Sequence, residues 1–563
     1  MKKSILCLLL FISTSVISFA TNPKSSSSIL NTIINPIYAI QDTTINKTKD
    51  PFNVIEHTLS NGLKVYLAIN ENEPRIQTMV AIKTGSKNDP KEVTGLAHYL
   101  EHMLFKGTSK MGALDWDKEN PLLVQISNQY ELYRHEKDET KRKEIYKKID
   151  ALSQEAAKYV ATNEYDNLSS SLGAKGTNAY TSNERTVYIN DIPSNELDRW
   201  MAIESERFGE LVLRLFHTEL EAVYEEFNRG QDSDSRLVYQ TVLEKLFKKH
   251  TYGTQSTIGL GAHLQNPSMV KIHEYFDQYY VPNNMAIILA GDLDPEATIQ
   301  MIEKYFGHFT PKPVTQFSCE REDPITEPIV VDVLGTDAEF INITFRIEGG
   351  MQSKDRMYLQ LMDMMLNNGD AGLIDLNLTK KQLVLRAGSY PRSLNDYSIF
   401  TMNGTPRDGQ SLEELKELLL GELDKIKNGS FDEWLIPAVV KQLKLQEIRT
   451  SESNRGIASS VLDAFISEID WKEEYQYLSR MSTITKDEMV AWANKTFTNN
   501  YVVVNKRKGD KKTYKVEKPN ITEIPVNRGK PSSFATHISN MPSSRMTPNF
   551  VDYDKEIQRD HLI

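Results

Sequence analysis

Gly95-Leu-Ala-His-Tyr-Leu-Glu-His-Met-Leu-Phe105 is the most informative segment of the chain. Its apolar residues recur at helical intervals, and Gly107 follows as a helix stop signal. On such a helix His98 and His102 stand four residues apart and share one face, so both imidazoles can reach a single ion. Glu101 falls close enough to that face to contact a metal-bound water rather than the metal.

This pattern has the parts that a hydrolytic zinc centre needs. Neutral imidazoles bind zinc well, a third protein ligand would leave one position open, and the pKa of a water bound there falls to about 7. Glu101 could then take its proton and later pass it to a leaving amine. The alternative is a buried helix with two hydrogen-bonded histidines and an ion-paired glutamate. Because His-x-x-Glu-His recurs by chance in roughly one chain of this length in a hundred at ordinary composition, the pattern favours the metal.

The residues around this segment predict a sheet. Residues 55–69 are typical of two strands around Ser60-Asn61-Gly62, where Asn-Gly supplies the positive φ values of a tight hairpin turn. A third strand is predicted over residues 76–84. Residues 282–295 then indicate a buried strand followed by a capped helix.

A second acidic stretch lies far along the chain: Phe216-His-Thr-Glu219-Leu-Glu-Ala-Val-Tyr-Glu-Glu226-Phe-Asn-Arg-Gly230. Together with His-x-x-Glu-His it resembles the pitrilysin group of metallopeptidases, which includes insulin-degrading enzyme and the mitochondrial processing peptidases and belongs to the inverzincins. In that family a glutamate on a later helix is the third zinc ligand, and another glutamate seven residues earlier supports the site. The resemblance therefore implies one Zn2+ per chain, with Glu226 as the third ligand and Glu219 as the supporting residue.

Two points in this acidic stretch stay open from the sequence. Glu225 could replace Glu226, since neighbouring residues of a helix point about 100° apart and only one of them can face the zinc. The spacing from Glu219 favours Glu226. The region could also be an acidic helix in water. His217 is interpreted as an incidental surface histidine.

The resemblance also implies a substrate-binding strand and an insertion. Residues 173–190 resemble the family's edge strand, which accepts a peptide through main-chain hydrogen bonds, and alternatively form an ordinary strand of the sheet. The candidate residues are Asn178, Ala179, Tyr180 and Thr181. Glu226 follows His102 by 124 residues, longer than the family's usual separation. We assign the excess to residues 121–160, a predicted helical hairpin beside the zinc-binding helix that either shapes the substrate entrance or is a decoration.

The second half of the chain repeats the order of the first. After a proline-containing linker over residues 311–327, strand patterns over 340–347 and 384–402 alternate with helix patterns over 355–366 and 412–426. When Gly369 is aligned with Gly107, the positions of His98, Glu101 and His102 correspond to Gln360, Asp363 and Met364. The repeat therefore lacks the zinc motif.

These observations define the expected fold class and domains. The fold is predicted to be α+β, with two homologous α/β-sandwich domains of mostly antiparallel sheet and helices packed on one side. The family resemblance implies that the two domains together form half of a clamshell. The catalytic domain would cover residues 51–310 and the second domain residues 328–510. Residues 511–563, with five prolines, would be an extended tail or the start of a linker between halves.

Composition and the first residues limit location and partners. The chain has 563 residues and a formal net charge of −11, which offers no basic surface for nucleic acid. Lys2 and Lys3 precede an apolar run, so residues 1–20 are predicted to be a signal peptide followed by a flexible lead-in over residues 21–50. The run is short for a bilayer span. We therefore expect export to the periplasm or beyond, without a stable membrane span after signal removal.

The sequence thus predicts a zinc-dependent endopeptidase that cleaves peptides or small unfolded proteins. In the family two halves close over the peptide, and the second half contributes an arginine and a tyrosine. This chain resembles the zinc-bearing half, so a second copy, a partner subunit or a continuation of the chain would complete it. The alternative function is a non-catalytic peptide-binding or scaffold subunit.

Overall fold

A computed structural model describes residues 50–511, 513–519, 521–524, 527 and 529–543. The predicted signal peptide, and the lead-in up to residue 49, lie outside these residues. None of the helices in the described ranges has the length and apolar character needed to cross a bilayer.

The described residues form eleven strands and nineteen α-helices. The strands are β1 Val54–Thr58, β2 Lys64–Ile69, β3 Arg75–Ile82, β4 Lys175–Thr181, β5 Thr186–Pro193, β6 Met285–Gly291, β7 Ile329–Gly335, β8 Phe340–Ile347, β9 Arg386–Ser393, β10 Ser398–Thr405 and β11 Tyr501–Lys508. The helices of the first part are α1 Leu96–Met103, α2 Trp116–His135, α3 Glu139–Ala157, α4 Glu164–Ser171, α5 Leu197–Gly209, α6 Phe216–Gln231, α7 Asp234–Leu246, α8 Thr251–Thr254, α9 Gly261–Leu264, α10 Met269–Tyr279 and α11 Pro295–Phe306. Those of the second part are α12 Asp355–Leu366, α13 Leu412–Lys427, α14 Leu435–Ser451, α15 Asn454–Ser467, α16 Trp471–Tyr475, α17 Tyr477–Met481, α18 Lys486–Thr496 and α19 Ser533–Asn540.

The first sheet has the strand order β1-β2-β6-β3-β5-β4. Only β2 and β6 pair in parallel, and the other neighbours are antiparallel. The hairpin between β1 and β2 turns at Gly62, whose φ of 87° is the left-handed conformation that the Asn-Gly pair predicted. Strand β4 forms the edge of this sheet.

The second sheet repeats this arrangement with the order β7-β11-β8-β10-β9. Its parallel pair, β7 with β11, corresponds to β2 with β6 in the first sheet. Among the described strands, none corresponds to β1. The predicted fold class, a mixed α/β protein built on two similar sheets, is confirmed. The predicted helix over 355–366 and strand over 340–347 have the bounds of α12 and β8.

Helices were predicted on one side of each sheet, but the second face is covered as well, by a helix from the other half of the chain. Helix α15 packs on the first sheet, where Ala458, Val461 and Phe465 meet Ala286 and Ile288 of β6. Helix α7 packs on the second sheet. Because both faces of β6 are covered, all seven of its residues are buried, which explains its unbroken apolar sequence.

A buried ion pair accompanies this exchange of helices. Lys506 of β11 and Asp234 at the start of α7 lie 3.0 Å apart, and both side chains are inaccessible to solvent. Burial alone would raise the pKa of Asp234, but hydrogen bonds from Lys511, from the Asp337 amide and from Lys506 outweigh it and lower the pKa to about 2. The second sheet is therefore joined to α7 by charge as well as by apolar contact.

The predicted insertion is a helical hairpin formed by α2 and α3. It packs against the first turn of α6, where the rings of Tyr130 and Phe216 lie 5.0 Å apart in an edge-to-face arrangement. The hairpin is also held by Arg214, which donates to both carboxylate oxygens of Glu119 at 2.8 and 3.0 Å. Both partners are at most 1% exposed. The hairpin therefore contacts the helix that carries Glu226.

The described part of residues 511–543, called the strap below, crosses the first domain. The prolines predicted an extended tail or linker, and most of the strap has no regular structure, but it includes helix α19. The Ser532 amide and hydroxyl each donate to Glu164 at 2.7 Å, and Val516, 2% exposed, exchanges two hydrogen bonds with the Asn228 amide. These contacts with residues far earlier in the chain distinguish the strap from a free tail.

Candidate metal centre

Helix α1 is fixed at its first turn by a buried carboxylate. The amides of Gly95 and Ala97 donate to Asp89 at 2.7 and 3.0 Å, which satisfies two of the donors that a helix start leaves free. Burial raises the pKa of Asp89 to about 8. Gly95 has φ 88°, and a Cβ there would lie 2.7 Å from the Ile258 carbonyl oxygen. Sequence reasoning missed Asp89, because a capping carboxylate six residues before the N-cap residue Gly95 leaves no local pattern.

The structure brings His98, His102 and Glu226 together. One oxygen of the Glu226 carboxylate lies 3.4 Å from His98 Nε2 and 3.9 Å from His102 Nε2. One ligand atom from each residue lies within 4.8 Å of the other two. Donors bound at 2.0–2.1 Å to a tetrahedral ion stand about 3.4 Å apart, and two histidines with one glutamate form a known catalytic zinc set. The residues present therefore fit zinc.

Glu225 points away from this group. Its carboxylate forms an ion pair with Lys518 Nζ of the strap, and half of its side chain is exposed. Of the two candidates on α6, the structure thus places Glu226 beside the histidines.

Glu219 contacts His102 at Nδ1, and Lys106 contacts Glu219. Glu219 accepts a hydrogen bond from His102 Nδ1 at 2.8 Å, and Lys106 Nζ lies 2.5 Å from its other oxygen. This bond places the ring proton on Nδ1 and leaves the Nε2 lone pair free for an ion. Burial opposes the charge on Glu219, but His102 and Lys106 outweigh burial and lower its pKa. Burial likewise opposes protonation of His102, yet the Glu219 contact raises its pKa. Lys106 was not foreseen from the sequence.

His98 has a different environment. Burial lowers the pKa of His98 to about 3, with smaller contributions from the nearby His102 and Arg236. Its imidazole is therefore neutral, as metal binding requires. Its Nδ1 is buried and has no hydrogen-bond partner among the described residues. The two imidazoles are therefore held unequally, His102 by a carboxylate and His98 by packing.

Glu101 is buried next to the histidines and contacts the edge strand. Its carboxylate accepts a hydrogen bond from the Thr181 hydroxyl at 2.6 Å. Burial raises the pKa of Glu101, although the Thr181 hydrogen bond acts in the opposite direction. A carboxyl group whose pKa is raised toward neutrality is suited to both accept and return a proton.

The four strand residues predicted to hold substrate lie on β4. Their register with β5 pairs Asn178 with Ile189 and Thr181 with Thr186, and within the described ranges no strand pairs with the other side of β4. Tyr180 is 37% exposed. An open cleft of about 600 Å³ begins beside Thr181. Its lining residues are His98, Thr181, Glu226, Arg229, Gly230, Ser233, Arg236, Thr257 and Ile258.

The prediction for His217 was wrong, because this histidine is buried rather than on the surface. Its side chain is 1% exposed, and neither ring nitrogen has a hydrogen-bond partner among the described residues. Burial lowers its pKa. The helical face that carries it is covered, which the sequence of α6 alone could not reveal. His217 remains apart from the metal group.

The second domain has no comparable group. Asp363 of α12 accepts a hydrogen bond from Ser389 of β9 at 2.7 Å, a carboxylate-to-edge-strand contact like that of Glu101, but Gln360 and Met364 are poor partners for it in a metal site. In the part of the chain that the structure describes, the group of His98, His102 and Glu226 is the only such cluster.

The sequence matches two family descriptions. Residues 64–119 and 151–258 match "Insulinase (Peptidase family M16)", and residues 269–443 match "Peptidase M16 inactive domain". The unmatched residues 120–150 fall in the hairpin of α2 and α3. The family match therefore stops and resumes around the predicted insertion.

Curated relatives and solved structures agree with these matches. The zinc protease PqqE of Helicobacter pylori is 23% identical over 450 residues, covering 78% of this chain and 89% of that protein. The beta subunit of the mitochondrial-processing peptidase of Saccharomyces cerevisiae is 20% identical over 465 residues, covering 78% and 88%. A crystal structure of a protease from Helicobacter pylori superposes with a TM-score of 0.66 at 21% identity, covering 81% of this chain and 99% of that one. The periplasmic protease PqqL of Escherichia coli superposes at 0.62 and 16% identity, covering 92% of this chain and 53% of that one.

Proposed function

The chain belongs to the M16 peptidase family, and we propose that it is a zinc-dependent endopeptidase that hydrolyses peptides or small unfolded proteins. The observation that carries the proposal is the meeting of His98, His102 and Glu226 within 4.8 Å, with the Glu101 carboxylate beside them. The names of the relatives PqqE and mitochondrial-processing peptidase support it.

Each residue of the centre has a proposed role. His98, His102 and Glu226 would hold the ion, and bound zinc would supply Lewis acidity that polarises the scissile carbonyl and acidifies water. Glu101 takes a proton from the attacking water and returns it to the leaving nitrogen.

Neighbouring groups position these residues. Thr181 orients Glu101 through its hydrogen bond, and Glu219 orients His102. The free edge of β4 holds the peptide in extended form at Asn178, Ala179, Tyr180 and Thr181. Such main-chain pairing accepts many sequences, since it does not read side chains.

A second half is part of this proposal. The cleft beside the metal centre is open, and this chain spans about half the length of PqqL. We propose that a second copy, a partner subunit or a continuation of the chain covers it. A mass measurement of the native protein distinguishes a chain that works alone from these assemblies.

Export is proposed from the first residues of the chain and from the similarity to PqqL, which is a periplasmic protease in Escherichia coli. N-terminal sequencing of the mature protein should show a start just after Ala20. A mature chain that retains Lys2 would contradict a cleaved signal peptide.

The decisive experiment is Glu101→Gln, measured for zinc content and for cleavage of a mixed peptide library. The variant should keep one zinc per chain, while cleavage falls by about 100-fold to 10,000-fold, because the general base is lost. Glu225→Gln is the matched control and should keep both properties. Unchanged turnover in Glu101→Gln would refute the base assignment. A zinc-loaded wild-type protein that cleaves no peptide, alone or with its second half, would favour the non-catalytic peptide-binding alternative.

A further inference from the structure

Two arginines line the cleft next to the metal centre. Arg229 lies in the last turn of α6, and Arg236 lies in the first turn of α7. Both are exposed, and among the described residues no carboxylate lies within ion-pair distance of either guanidinium. The pair therefore adds two positive charges to one wall of the cleft.

The acidic residues of the same turn are already paired elsewhere. Asp232 pairs with Lys515 at 3.2 Å, and Asp234 pairs with Lys506 and Lys511 at 3.0 and 2.9 Å. These lysines belong to β11 and to the strap. Because Lys506, Lys511 and Lys515 pair with these aspartates, neither aspartate forms an ion pair with Arg229 or Arg236.

The Arg236 guanidinium lies against Gly230 in the last turn of α6, although the residue as a whole is exposed. A Cβ atom built on Gly230 would lie 2.8 Å from Arg236 Cζ, so the guanidinium occupies the space that a side chain at position 230 would need. Gly230 and Arg236 line the same cleft as His98 and Glu226. The absence of a side chain at position 230 thus keeps the charge close to the metal centre.

We propose that Arg229 and Arg236 form a carboxylate-binding subsite that selects peptides with an acidic group a few residues from the scissile bond. This inference rests on the proposed peptidase function. Guanidinium groups bind carboxylates through two parallel hydrogen bonds. Pairing along β4 is indifferent to side chains, so this subsite supplies a preference that the edge strand cannot. The two guanidinium charges also attract an acidic segment of a peptide to this wall of the cleft.

The test measures binding of fluorescent peptides to the zinc-loaded Glu101→Gln variant by anisotropy. One peptide sequence carries Glu, Gln or Lys at each successive position, and each version has a free or an amidated C-terminus. We expect the best Glu peptide to bind about fivefold more tightly than its Gln counterpart, the upper range for partly exposed ion pairs, and the difference to shrink in high salt. A preference confined to peptides with a free C-terminus would identify the chain end as the source of the carboxylate, whereas a preference confined to one Glu position would identify a side chain.

Three variants locate the preference. Arg229→Glu and Arg236→Glu should each reverse it in favour of Lys, and Gly230→Ala should weaken it by displacing the Arg236 guanidinium while keeping its charge. Arg449→Glu, at an exposed arginine of α14, is the matched control and should leave it unchanged. Equal binding of Glu, Gln and Lys peptides, failure of all peptides to bind, or a preference that survives both reversals would overturn the subsite. Because the readout is binding, a failure of hydrolysis alone would overturn the proposed function and not this inference.

Discussion

Replacing Glu219 with glutamine tests how the protein supports its metal site. The glutamine has nearly the same size and can still accept a hydrogen bond from His102 Nδ1, but it carries no charge. The Lys106 ammonium, which lies 2.5 Å from the Glu219 carboxylate in the wild-type protein, would then have no negative charge from residue 219 beside it. The substitution therefore isolates the electrostatic part of the support.

The size of the effect follows from the burial of the contact. Mutation of the residue that accepts a hydrogen bond from a metal-binding histidine lowers metal affinity by about 10-fold to 100-fold, or about 1.4 to 2.7 kcal/mol. The side chains of Glu219 and His102 are only 15% and 18% exposed, so solvent screens their interaction weakly. We therefore expect Glu219→Gln to weaken zinc binding by at least about 10-fold, within this range.

Zinc affinity is measured by competition with a chromophoric chelator at pH 7.5. Glu225→Gln is the control, because it removes a charge from the same helix at a residue that contacts the strap and not the histidines. Thermal unfolding of both metal-free variants shows whether either substitution damages the fold. If Glu219→Gln binds zinc within twofold of the wild-type protein, or if Glu225→Gln weakens binding as much, the supporting role of Glu219 is wrong.

Three further outcomes are expected. Glu226→Ala should abolish stoichiometric zinc binding in metal analysis, whereas Glu225→Ala should retain it, and the reverse result would place the ligand one residue earlier. Arg214→Met should lower the free energy of unfolding in urea by about 3 to 5 kcal/mol, because it leaves the Glu119 carboxylate buried without its partner, and adding Glu119→Leu should restore part of the loss. The pKa of Asp234 is about 2 in the folded protein and about 3.9 in the unfolded chain, so its stabilising contribution is complete above about pH 5 and is lost as the pH falls toward 2. Asp234→Asn should therefore flatten the decrease in unfolding free energy between pH 5 and pH 3. A slope equal to that of the wild-type protein would contradict this.

The sequence predicted those features that a local pattern encodes. The helical spacing around His98 located α1, and the Asn-Gly pair located the first hairpin. The seven-residue spacing from Glu219 selected Glu226 over Glu225, and the structure orients these two side chains accordingly. Such features depend on periods of a few residues within one element.

Features that depend on distant contacts were not predictable. His217 belongs to a helix with acidic residues on several sides, and only the packing of other segments around it determines that it is buried. Ser532 and Glu164 meet across 368 positions of sequence, and neither residue carries a local sign of the contact. Nothing within α7 or α15 indicates that each helix covers the sheet of the other half.

That exchange of α7 and α15 decides what happens when the backbone is cut. A protease that nicks the proline-containing segment over residues 311–327 would leave two fragments, each holding a helix that covers the other's sheet. The nicked protein should stay together in native buffer and separate only under denaturing conditions. Produced alone, each fragment would expose an apolar sheet face and aggregate, while co-expression of both would restore a soluble protein.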